Sequence, residues 1–234
     1  MLVESRFGRP PWNAGHVAER FNLLTLITLG EVVAATTRAV GALVGEQGWS
    51  PSAVLLAASG LVLAAALWWA YFLIPSRAVL ERWPDRTMAW RTAHLPLFGA
   101  IAAVGAGLRV AATAVEEERL SLLQIALALA VPVAVVLVTV FVTWSVLMRS
   151  HDLTHVPLFV LSVLPVAAAV VVGAAHGRDD LVEAAGAPGF GALVTVVALV
   201  TLGAVIEVVG HEAVGLRHTL RAVRHREWEP AGSG

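Results

Sequence analysis

The chain has 234 residues, of which 58% are hydrophobic types and 14% are charged, with a formal net charge of -1. A soluble domain carries about 25% charged residues, so this balance and a mean hydropathy of +0.77 exclude an ordinary soluble protein and describe an integral membrane one. The near-neutral charge gives no reason to expect a nucleic-acid partner, and the absence of cysteine excludes disulfides, thiolate metal sites and cysteine nucleophiles.

Residues 1–15 form a polar lead-in with Pro, Gly and Asn, without the short apolar core and small-residue cleavage site of a signal peptide. Six apolar stretches follow, at about 17–44, 51–73, 88–114, 120–147, 156–175 and 190–213, each reaching the roughly 20 residues that cross a bilayer core. The predicted fold class is all-α, a polytopic membrane protein with about six transmembrane helices. It divides into the lead-in, a transmembrane domain over 16–214 and a basic tail over 215–234.

The arginines orient it. With six spans, the N-terminus, the 75–91 loop, the 149–155 turn and the tail share one side. That side holds every arginine except Arg38, Arg109, Arg119 and Arg178. Positive loops stay inside, so both termini are expected in the cytoplasm. An internal echo, His94-Leu-Pro-Leu-Phe98 against His155-Val-Pro-Leu-Phe159, suggests two related helical hairpins, as parallel repeats do in transport folds.

Three separated motifs carry a resemblance. His16-Val-Ala-Glu19-Arg20-Phe21 continues to Leu29-Gly30-Glu31. Leu67-Trp68-Trp69 leads into Tyr71-Phe72. His94-Leu-Pro-Leu-Phe98 runs on into a Gly-rich stretch. Over about residues 12–115, their order and spacing resemble the bacterial low temperature requirement A family. That resemblance implies a multi-pass protein of the bacterial inner membrane with no established molecular activity. Such proteins are about twice this length and open with an acidic, Phe-rich segment that is not seen here. The resemblance thus points to a C-terminal half, a late start, or a half-sized form that pairs with itself. The expected partners are the lipid bilayer and either a second copy or a missing N-terminal half. No cofactor is expected.

The candidate site residues are ionisable groups inside the spans. Glu31 lies near mid-membrane, where a charge costs roughly 2.5–3.5 kcal/mol. It is either a proton or cation site, or a carboxylate that bonds a neighbouring helix or pairs with an arginine. Glu207 and His211 are i, i+4 neighbours able to relay a proton. With His16 and Glu19 they could also make up a metal set, since two ligands alone are not a site. His94 stands in the cytoplasmic third of its span, with Trp68 and Trp69 at the same depth, more in keeping with the aromatic belt. An inner-facing pocket lined by Glu31, His94, Glu207 and His211 is therefore predicted. Arg20 falls on the stripe of Glu31, and Arg109 is expected to snorkel outward or to pair with the Glu116–Glu118 loop.

No phosphate-binding loop, zinc-protease helix or serine elbow is present, so enzyme activity is the less expected class. The leading expectation is a transport-type or channel-like protein. An intramembrane enzyme or metal protein, or a non-catalytic membrane-adaptation protein, are the alternatives.

Overall fold

The structure, a computed structural model, describes residues 13–117, 120–148, 155–176 and 188–212. The basic tail, the first twelve residues and the polar turns around 149–154 and 177–187 lie outside them. Every long element is a helix, and six of them are long and apolar enough to cross a membrane.

Local chemistry sets the helix starts. α1 (Ala14–Gln47) begins at Asn13, whose side chain accepts from the His16 N–H at 3.1 Å. It ends at Gly48, whose φ of 72° suits a residue without a Cβ. α2 (Pro51–Phe72) opens with Ser50 capping the Ala53 N–H, followed by a proline at the first helical position. A short helix, α3 (Ser76–Arg82), and a 3-10 turn over Pro84–Arg86 lead into α4 (Thr87–Glu117). α5 (Leu122–Met148) starts with a reciprocal cap. The Ser121 N–H donates to Gln124 Oε1 at 3.0 Å, and the Gln124 N–H returns to Ser121 Oγ at 3.4 Å. α6 (His155–Ala175) and α7 (Pro188–Gly210) complete the bundle.

The helices pack in a ring. α1 lies between α2 and α4, α5 between α4 and α6, and α7 between α6 and α2, with a further contact from α5 to α7. Between helices in lipid there is no hydrophobic force, so close backbone approach takes over. A Cβ on Gly107 of α4 would run into the backbone carbonyl of Ala128 on α5. A Cβ on Gly203 of α7 would stand 2.6 Å from the Ser162 carbonyl on α6. Both glycines are there so that two backbones can touch.

Arg86 is 6% exposed. Its guanidinium lies over the Trp83 ring at 4.1 Å and donates from Nη1 to the Leu147 carbonyl, in the last turn of α5. A cation there satisfies an orphan carbonyl and complements the helix dipole. The α3–α4 connection is thereby tied to the end of α5.

The two His-x-Pro-Leu-Phe segments differ in their ring contacts, with His94 seven residues into α4 and Pro96 inside that helix. Phe98 packs on His94, while Phe159 stacks on Phe141 at 4.5 Å. The geometry gives the hairpin repeat no support.

Candidate functional site

Helix direction places the C-terminal ends of α2, α5 and α7 beside the N-terminal ends of α1 and α4. Two polar clusters form at this end of the bundle, on either side of α5.

The first centres on His94, which is 2% exposed. Phe21 (4.6 Å), Trp90 (4.3 Å), Phe98 (5.3 Å) and Tyr71 (5.6 Å) wall its ring, by centroid distance. Its Nδ1 is 2.7 Å from the Trp90 carbonyl and its Nε2 is 2.9 Å from the Tyr71 hydroxyl, which in turn reaches Asn22 Oδ1 at 3.0 Å. A carbonyl can only accept, so Nδ1 carries a proton. Tyr71 has one hydroxyl proton for two neighbours, and the chain closes in two ways. A neutral His94 accepts the Tyr71 proton at Nε2 while Asn22 turns its amide to donate to the phenol oxygen. Alternatively Nε2 carries a second proton and donates to Tyr71, which donates to Asn22. The two arrangements differ by one proton and one amide rotation.

Beside this ring lies a cavity lined by Tyr71, Ser76, Trp90, His94 and Thr143, among others, with ≈ 10 Å³ for the centre of a water-sized molecule. That is room for about one water. The surface the cavity presents is almost wholly apolar, since the Tyr71 hydroxyl, the Ser76 hydroxyl and both imidazole nitrogens already have hydrogen-bond partners.

The second cluster is Glu207 and His211. Glu207 Oε1 and His211 Nδ1 are 3.1 Å apart, and the two side chains are 2% and 8% exposed. Trp144 of α5 meets the His211 ring edge-on at 5.9 Å. Thr143, its neighbour in the chain, lines the His94 cavity, so adjacent faces of α5 carry the two clusters.

The predicted four-residue pocket does not form. Glu31 points out of the bundle, its side chain 52% exposed, and pairs with Arg38 of its own helix at 2.5 Å. His94 is separated from Glu207 and His211 by α5. His16 and Glu19 pair with each other at 3.9 Å on the exposed surface of α1, apart from the buried Glu207–His211 pair they were expected to complete. Among the described residues, no three His, Asp or Glu side chains converge to hold a metal ion. Trp68 and Trp69 are 41% and 44% exposed, as the aromatic belt requires. Arg20 and Arg109 are exposed, and the side chains of the Glu116–Glu118 loop lie outside the described residues. Asn22, Tyr71 and Trp90, which form the hydrogen-bonded chain with His94, were not among the candidates. The signal for Tyr71 was a stripe at Leu67, Ala70, Tyr71 and Ile74, all buried, masked by the two tryptophans beside it.

The family model for the bacterial low temperature requirement A protein (LtrA) matches residues 1–200. The chain belongs to the LtrA family. The match extends through five of the spans and into the sixth, well past the segment in which the three motifs lie. Comparisons with curated proteins and with solved structures give no match. This LtrA protein folds its three motifs onto one place. The first supplies Phe21, the second Tyr71, and the third His94 and Phe98. Glu31, which closes the first motif, faces outward, as do His16, Glu19 and Arg20 of the same motif and Trp68 and Trp69 of the second.

Proposed function

We propose that this LtrA protein is a transport-type membrane protein that moves protons, with His94 as the group that holds the proton in transit. The observation that carries this reading is the buried chain Asn22–Tyr71–His94 beside a water-sized cavity. Such a chain can exist in two states one proton apart, and imidazole is the side chain that titrates near neutrality. Glu207 and His211, across α5, supply a second proton-holding pair at the same end of the bundle.

The test uses purified protein in proteoliposomes with a trapped pH-sensitive dye and an imposed potassium diffusion potential. The intact protein acidifies or alkalinises the lumen faster than empty vesicles do. His94→Gln keeps a hydrogen-bonding side chain but does not titrate. It lowers the rate at least roughly a hundredfold, the low side of what a positioned proton-transfer group contributes. Equal rates for the two proteins, or a rate no higher than in empty vesicles, would sink the reading and leave His94 as a packing group.

The arginine distribution supports a place in the bacterial inner membrane with both termini in the cytoplasm. The His94 cluster then lies toward the cytoplasmic end of the bundle. Alkaline phosphatase fused after residue 234 is expected to be inactive, and the same enzyme inserted after Gly48 to be active. The reverse pattern overturns the orientation.

A further inference from the structure

We propose that α1 is the surface through which two copies of this chain associate within the membrane, with Glu31 and Arg38 of both copies forming a four-charge network across the contact. Glu31 is at the middle of a 34-residue helix. Such a helix is about 50 Å long against a hydrocarbon core of about 30 Å, so Glu31 lies at hydrocarbon depth, while Arg38, about 10 Å along, lies near the outer end of the apolar span Ala14–Gly41. Both side chains are 52% exposed on the outside of the bundle. Intramembrane charges almost always face protein or water rather than lipid, and here the bundle itself does not cover them.

A second copy is the occupant whose charges fit. About a two-fold axis normal to the membrane, the two α1 helices run parallel. Arg38 of one copy then has the same axial offset from Glu31 of the other as from its own Glu31. Each intrachain bond can therefore be exchanged for an interchain one without moving either helix along its axis, and no charge is left over. The surface is also shaped for approach. Gly30 and Gly41 have no atom within 4 Å of where a Cβ would stand, and they flank the ion pair at helical spacing. Ile27, one turn away, is 71% exposed. Only 33% of the α1 span is buried within the bundle, against 50% for each of the next three spans and 22% for α6, so the charges rather than exposure alone single out α1. The proposal does not depend on the proton reading.

The chain contains no cysteine, so single-cysteine variants need no altered background. Ile27→Cys and Ala34→Cys on α1 are compared in native membranes, under copper-phenanthroline oxidation, with Leu164→Cys and Val171→Cys on α6. The α6 controls are 57% and 66% exposed to the same lipid. The expected result is a cross-linked band at twice the 24.6 kDa chain mass for the α1 variants, at least fivefold weaker for the α6 ones. Adding Glu31→Gln or Arg38→Gln to Ala34→Cys reduces that band on the order of threefold or more, as loss of an interhelical polar contact should. The double reversal Glu31→Arg with Arg38→Glu restores it. A band of any other mass, equal cross-linking on α6, or no response to both charge removals overturns the proposal.

Discussion

Gly107→Ala is expected to destabilise the protein by about 3 kcal/mol, the upper part of the usual overpacking range. The added Cβ meets the backbone carbonyl of Ala128, and Leu129 Cδ2 lies 3.2 Å away on the same side. A side-chain tip could turn aside, but a helical carbonyl cannot, so α4 and α5 must separate along their length. These helices frame the His94 cavity between them. Gly99→Ala on the same helix is the control, because nothing stands within 4 Å of its Cβ position. There the substitution recovers only helix propensity, about 0.5 kcal/mol in the stabilising direction. Thermal unfolding of both variants in the same detergent separates the cases. Equal midpoints for the two would mean that α4 and α5 do not touch backbone to backbone at Gly107.

His94→Ala is expected to cost about 3 kcal/mol or more, because it empties a site walled by four aromatic rings. It also leaves the Tyr71 hydroxyl and the Trp90 carbonyl with one partner fewer. Tyr71→Phe removes only the hydroxyl, yet strands His94 Nε2 and the Asn22 side chain, a loss of about 1–3 kcal/mol. The two groups share one network, so their effects do not add. The double variant is expected to lose less than the sum, by about 1 kcal/mol. Denaturant titration of the four proteins in micelles measures this coupling. Strict additivity would show that the 2.9 Å contact between Tyr71 and His94 contributes nothing to the fold.

The spans were legible because length and apolarity alone define them. Their starts were partly legible, since Asn13 and Ser50-Pro51 are ordinary cap chemistry. Facing was not. In α1 the exposed Leu23, Leu24, Leu26 and Ile27 are as apolar as the buried Leu29 and Val32. A helix between lipid and protein has no polar side to mark its outside, so the inward-facing site expected for Glu31 had no pattern behind it. His94 was found because a titratable ring in an apolar run stands out. Tyr71 was not, because Trp68 and Trp69 give that helix end the look of an interfacial belt. The phase of the helix then turns Tyr71 inward, 5% exposed, while the tryptophans stay in contact with lipid. Arg86 looked like one more positive-inside loop residue, and only the tertiary structure shows that it closes the end of α5.

The glycine contacts between α4 and α5 and between α6 and α7 have a thermal consequence. Attraction that rests on apolar hydration fades on cooling. Attraction between touching backbones in lipid rests on dispersion and fit, which do not require water to be released. The helix pairs joined at Gly107 and Gly203 thus lack the term that weakens a water-driven core in the cold. Their association is held by forces that persist as the temperature falls.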